Sequence, residues 1–296
     1  MSRPRDPAEE RLGWLLCLPA ALAMLVVTAY PTLYALWLSL FRYDLRFPDQ
    51  RAFVGLDNYA TVLTSGVWWE ALATTLIITI VSVSIELVLG MLLALVMHRA
   101  LFLRRTVRAS VLVPYAIITV VAALAWKFAF DPVTGFVDQW LGPLVGADRA
   151  WLTERWSALM VIILTEVWKT TPFMALLLLA GLTLVPRDLI DAARVDGANA
   201  VQRFFRVTLP LMRNAVLVAL LFRTLDAFRI FDTVFVQTRG AQGTETVSVV
   251  GYHTLVTRLN LGLGAAVSVL IFACVVAIAV LFVRGFGASF TTEEHR

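Results

Sequence analysis

Thirty consecutive residues, 12 to 41, carry no charged side chain. About 20 apolar residues carry a helix across the hydrocarbon core, so this run is long enough to cross with some tilt. A bilayer offers the backbone no hydrogen-bonding partner, and a single segment can satisfy itself there only as a helix. The basic start, Arg3, Arg5 and Arg11, would also suit a cleaved signal peptide. The apolar stretch is, however, about twice the ~7–15 residues of such a core and continues past Pro31, so we read an uncleaved first helix. Five more segments have the same character: 71–97, 109–130, 157–184, 211–236 and 259–283. The expected architecture is all-α, an integral membrane protein with six transmembrane helices in one domain over 1–296. Only 16% of the residues are charged, against about a quarter in soluble domains.

Arginine sets the expected orientation. The chain has 25 basic residues, and only Lys127 and Lys169 are lysines. With the N-terminus inside, Arg3, Arg5, Arg11, Arg99, Arg104, Arg105, Arg108, Arg187, Arg194, Arg203, Arg206, Arg213, Arg284 and Arg296 are cytoplasmic. Arg42, Arg46, Arg51, Arg149, Arg155, Arg239 and Arg258 are then outside. Cytoplasmic loops of membrane proteins are enriched in Arg and Lys, so both termini are expected in the cytoplasm. Trp68, Trp69, Trp140, Trp151 and Trp156 lie near span ends, where amphipathic rings favour the interface. The basic residues are spread along the chain, which does not suit nucleic acid. Cys17 and Cys274 sit inside apolar runs and His98, His253 and His295 are isolated, so no metal site is expected.

Residues 186–210 read P-R-D-L-I-D-A-A-R-V-D-G-A-N-A-V-Q-R-F-F-R-V-T-L-P. The stretch is too polar for the membrane core. Pro186 suits a first helical turn, and Leu189, Ile190, Ala193 and Val195 supply an apolar flank. Gly197 permits a turn, and a second short helix carries Phe204, Phe205 and Val207 up to Pro210. On amphipathicity alone this is an interfacial helix. The residues D-A-A-R-V-D-G-A followed by R-F-F-R-V-T-L-P resemble the E-A-A-x-x-D-G-A…F…L-P motif of binding-protein-dependent ABC importer permeases, with Asp191 in place of Glu. V-G-L-D-N-Y at Val54–Tyr59 and F-D-x-V-F-V-x-T-x-G at Phe231–Gly240 resemble elements of the carbohydrate-uptake members, the maltose and glycerol-phosphate permease type. Arg239 to Gly243 departs from the G-G-P that usually closes the second element.

The resemblance implies a type I importer permease for a sugar, a disaccharide such as trehalose. It implies a coupling helix carried by Asp191, Ala192, Ala193, Asp196, Gly197, Ala198, Phe204, Arg206 and Pro210. The implied partners are a second homologous permease, two ATPase subunits and an extracytoplasmic solute-binding protein. A phosphate-binding loop needs Gly-Lys followed by Ser or Thr, and neither lysine follows a glycine. This chain is therefore expected to bind no cofactor and to be no enzyme, with ATP and Mg on the partner ATPases.

Ionisable groups inside spans cost ~2.5–3.5 kcal/mol each at mid-membrane, so they should face the bundle interior or water. Arg223, Asp226, Arg229 and Asp232 alternate in sign at steps of three, which on one helix makes each the neighbour of an opposite charge. Glu166 and Lys169 repeat the spacing, and Glu86 stands alone. Internal ion pairs that fix packing, and a polar pathway for sugar hydroxyls, both account for these groups. The expected pathway residues are Glu166, Trp168, Lys169, Arg223, Asp226, Arg229 and Asp232. The intramembrane carboxylates would also serve an ion-coupled secondary transporter, although no internal repeat of the kind common there is visible. A membrane-embedded transferase would need a convergent catalytic cluster, and none is apparent.

Overall fold

The structure is a computed structural model and describes residues 7–99, 104–137, 140 and 150–287. Arg3, Arg5, Arg149, His295 and Arg296 lie outside the described residues. So do the side chains of Arg11, Arg99, Arg104, Arg105 and Arg108. Among the described residues four helices are long and apolar enough to cross a membrane, and up to six spans result if each of two bent pairs counts as one.

Contacts within the chain gather into two units. The first comprises residues 1–65 and 251–271. Here α1 (Pro7–Met24) and α2 (Tyr30–Leu38) are joined by a π-turn, Leu25–Ala29. Pro31 explains the widened turn: it has no N–H to donate, and its ring crowds the carbonyl four residues back. A short hairpin follows, β1 (Phe41–Arg42) against β2 (Ala52–Phe53), with Phe41 opposite Phe53. The Arg51 guanidinium covers the rings of Trp37 and Tyr43 at 4.7 and 4.9 Å, a cation–π arrangement. Val54–Tyr59 leads into α3 (Asp57–Thr64). Asn58 Nδ2 donates to the carbonyls of Ser39 (2.7 Å) and Phe41 (2.9 Å), and the Tyr59 hydroxyl meets Ser39 Oγ at 2.6 Å. Those two motif positions thus pin the end of the first span to the loop that follows it.

The second unit comprises residues 66–250 and 272–296. Its frame is α4 (Gly66–Arg99) packed on α7 (Arg155–Thr183). Thr170 bonds Glu86, and Gly90 lies against Met174 and Ala175, so residue number rises along both helices together and they run parallel. The chain between must return, and α5 (Arg104–Ala116) with α6 (Thr119–Ala129) makes the return as a pair bent by 91°. The break follows Pro114, which α5 holds in its last turn. Beyond α7, helix α8 (Arg187–Val195) and α9 (Ala200–Leu211) lead to α10 (Arg213–Phe228), with a 71° bend between α9 and the helix after it. In α9 a π-turn, Phe204–Thr208, again stands two residues ahead of a proline, Pro210. Helix α11 (Asp232–Gln237) completes the fifth span, α12 (Val247–Tyr252) follows, and α13 (Leu261–Gly287) is the last. The expected spans 109–130 and 211–236 are therefore not single straight helices. Their apolar content is continuous, but Pro114 and the Arg229–Phe231 segment interrupt them, and hydropathy is blind to both.

The core beneath α4, α7 and α10 is built from Met91, Met97, Met174, Leu178 and Met212, all nearly or fully buried. A Cβ at Gly90 would stand 2.8 Å from Met174 Cγ and 3.2 Å from the Ala175 backbone nitrogen. Gly90→Leu is expected to cost about 1–3 kcal/mol by overpacking, read as a lower thermal transition of the detergent-solubilised protein. Gly66→Ala, with nothing near its Cβ, serves as the control.

Candidate functional site

Thr75, Thr79, Ser82 and Glu86 are spaced by four, three and four along α4, and all are buried. This spacing puts them on one face, a polar stripe aimed into the protein. Glu86 ends it and is not alone. Arg223 of α10 donates from Nε to Glu86 Oε2 (2.5 Å) and from Nη2 to Glu86 Oε1 (3.0 Å). The same Nη2 reaches Glu166 Oε2 of α7 at 3.2 Å, and Nη1 reaches Asp226 Oδ2 at 2.7 Å. Thr170 donates to Glu86 at 2.8 Å and Thr233 to Glu166 at 2.5 Å. Arg223 and Glu86 have no exposed surface, and Glu166 is almost closed off. One guanidinium, with its planar fork of donors, ties three helices together.

Two expectations change here. The four-membered charge ladder does not form, because the helix stops at Phe228 and resumes at Asp232. Only Arg223 and Asp226 keep their i,i+3 contact. Nor does Glu166 pair with Lys169. Its carboxylate is taken by Arg223 and Thr233, and the Lys169 ammonium lies 5.5 Å from the centre of the Tyr115 ring. Glu166 thereby holds both sides of the interruption, Arg223 before it and Thr233 after it.

Beside this cluster lies a cavity of about 410 Å³ lined by Tyr115, Thr119, Glu166, Lys169, Thr170, Asp226, Arg229, Ile230, Phe231, Asp232 and Thr233. Its size is within the roughly 300–1,000 Å³ of small-molecule sites. Five of the seven expected pathway residues line it: Glu166, Lys169, Asp226, Arg229 and Asp232. Arg223 stands behind it, and Trp168 turns away to pack on Trp126 with ring centres 5.9 Å apart. Sequence reasoning missed Tyr115, Thr119, Thr170 and Thr233. The lining offers carboxylates, cations, hydroxyls and the Phe231 ring, which stacks on Phe235 at 5.1 Å. Such a set can hydrogen-bond a polyhydroxylated molecule from several sides. Among the described residues no group of three or more potential metal ligands occurs. Past α11, Arg239, Gly240, Gln242 and Gly243 all have positive φ, so the loop that departs from G-G-P turns through left-handed backbone at two non-glycine positions. Thr233→Val removes a hydrogen bond to a buried carboxylate while nearly conserving shape. We expect it to cost about 1 kcal/mol or more, measured by thermal unfolding in detergent against Thr224→Val.

The nine expected coupling residues fall on one segment and none of them is buried, although Phe204 packs partly against the core. Asp191, Ala192 and Ala193 lie in α8, none of whose side chains is buried. Asp196 follows, and Gly197 takes φ +80°. The Gly197 N–H donates to the Arg194 carbonyl (3.1 Å) and the Ala198 N–H to the Ala193 carbonyl (3.0 Å). That bond pair is a Schellman cap, whose left-handed position favours glycine. Asn199 and Gln202 then form a reciprocal capping box that starts α9, which carries Phe204, Arg206 and Pro210. Asp191 meets Arg194 at 3.3 Å on the surface. Pro186 is the residue just ahead of α8, with extended ψ 129°, one place earlier than its sequence position suggested.

Apolar helices around a charged cavity fit a membrane transport protein. Solved structures with this fold include a bacterial ABC transporter that imports the acidic polysaccharide alginate, with TM-score 0.80, 20% identity, and coverage of 97% of this chain and 98% of that one. Residues 86–290 match the family described as "binding-protein-dependent transport system inner membrane component", and the chain belongs to it. Among its relatives is the trehalose transport system permease protein SugA of Mycobacterium tuberculosis, 55% identical over 95% of this chain and 91% of that protein. Another is the trehalose/maltose transport system permease protein MalF of Thermococcus litoralis, 38% identical over 93% and 94%.

Proposed function

We propose that this chain forms half of the translocation pathway of an ATP-driven importer for trehalose or a closely similar disaccharide. The identity of 55% over 95% of the chain to a trehalose permease carries this reading. The hydroxyl- and charge-lined cavity supports it. The proposed complex contains a second homologous permease, two ATPase subunits that bind ATP and Mg, and an extracytoplasmic binding protein that delivers the sugar. The chain lies in the inner membrane with both termini cytoplasmic and makes no nucleotide site of its own. The exposed α8 segment, which lies in the chain between the fourth and fifth spans, docks on an ATPase, so that closure of the ATPase pair rocks the spans. Five of the six expected groups other than Trp168 would face the sugar path, with Arg223 holding their frame.

The ion-coupled alternative needs carboxylates free to exchange a proton or sodium ion. Glu86 and Glu166 are instead engaged by Arg223, which disfavours it. Affinity purification in mild detergent tests the proposal. Two ATPase chains and a second permease should co-purify, and trehalose with its binding protein should raise ATP hydrolysis. Co-purification without any ATPase, or stimulation by unrelated solutes alone, overturns it.

A further inference from the structure

On a side of α4 turned away from Glu86, two recesses adjoin near the end of the helix. One, of about 570 Å³, includes Arg187, Arg194, Arg203, His98 and Asp191 in its lining. The other, of similar volume, is an apolar groove along Leu87, Val88, Met91, Leu92 and Val216. They share Leu95, Ala200 and Phe204, so they are two ends of one surface. Three guanidiniums face a single carboxylate in the basic end. Asp191 is already engaged by Arg194, which leaves the positive charge to Arg187 and Arg203. The Arg203 side chain is fixed by donation to the Ala198 carbonyl at 2.5 Å.

The membrane sets the depth of each end. The α4 span, Gly66–His98, is 33 residues long, roughly 50 Å at 1.5 Å per residue, against a hydrocarbon core of about 30 Å. Its last turns, at Leu95 and His98, therefore reach the polar boundary, while Leu87 to Leu92 stay among acyl chains. A basic recess at the boundary continuous with an apolar groove below it has the shape and charge of a phospholipid stood on end.

We propose that the two recesses form one site for an anionic phospholipid, with its phosphate against Arg187 and Arg203 and an acyl chain along α4. A soluble anion would have no use for the groove, and a lipid without a phosphate no use for the arginines. Bound there, the lipid also joins α8 to α4, because Arg187 belongs to the first and Leu95 to the second.

The test uses the purified complex in detergent and a phosphatidylglycerol carrying a photoreactive group midway along one acyl chain. Adducts mapped by mass spectrometry are expected within residues 87–95 or 200–216. Unlabelled phosphatidylglycerol should displace the probe, diacylglycerol with the same chains should need about thirtyfold more, and inorganic phosphate should leave the adducts unchanged. Arg187→Gln with Arg203→Gln should weaken labelling by the same factor, while the double Lys variant keeps most of it. If the Gln variant does not assemble, the competition series on the unaltered complex decides. Equal displacement by diacylglycerol would mean a merely greasy groove. Displacement by phosphate would mean a free-anion site. Adducts elsewhere, or groove peptides cross-linked to a partner chain, would mean that lipid does not occupy it. Each of these overturns the proposal.

Discussion

Arg223→Ala is expected to remove most of the folded protein from the membrane. Arg223 and Glu86 are both buried and bonded twice to each other, and removing one partner of such a pair costs about 3–5 kcal/mol because the other charge is left stranded. That cost is a large fraction of the ~5–15 kcal/mol by which domains are ordinarily stable. Glu166 and Asp226 lose their partner in the same step. The check is the yield and thermal stability of the detergent-extracted chain, with Arg213→Ala as the control outside the cluster. Adding Glu86→Leu to Arg223→Ala should recover a good part of the loss, since well-packed apolar residues often replace a buried pair without penalty. Sugar uptake should stay low in the double variant, because Glu166 still lacks the group that orients it at the cavity. If Arg223→Ala alone yields a stable, active protein, the cluster does not hold the three helices together.

The second large effect is expected at Gly197, and it should leave the fold intact. The residue sits at φ +80° with no atom within 4 Å of where a Cβ would stand. Gly197→Val therefore strains the backbone without touching the core. A left-handed conformation costs an ordinary L-residue roughly 1–2 kcal/mol and a β-branched one no less, which translates into about a five- to thirtyfold loss of the capped conformation. The Schellman cap that directs α8 should open while insertion and partner binding persist. We expect ATP hydrolysis to continue with uptake reduced about tenfold, and Gly197→Asn, which tolerates the left-handed region, to keep more of it. The measurement is hydrolysis and labelled-sugar uptake on the same preparation. Unchanged coupling in Gly197→Val would remove α8 from the transmission path.

Much of this was legible because bilayer physics writes itself into composition. The uncharged run 12–41 and the apolar runs after it had few alternatives to helices. The α8 segment announced its ends through Pro186, whose ring fixes φ, and Gly197, which alone enters the left-handed region without cost. What stayed hidden is long-range. Arg223 and Glu86 lie 137 positions apart, so Glu86 read as solitary and Arg223 as one rung of a local ladder. The stripe Thr75, Thr79, Ser82, Glu86 was the available signal, since a polar face on an otherwise apolar helix needs a polar partner. The interruption at Arg229–Phe231 has no proline or glycine to mark it, and it converted an expected helical ladder into a cavity wall. Trp168 was placed by proximity along the chain, but its ring packs on Trp126 of α6 instead.

The most direct test reconstitutes the chain in proteoliposomes with its second permease, the ATPases and the binding protein, and follows labelled trehalose. Uptake should require ATP on the ATPase side, should stop when the ATPases are omitted, and should be indifferent to collapse of the proton gradient. Trehalose accumulation by this chain without any ATPase, driven by a proton or sodium gradient, would contradict the account outright.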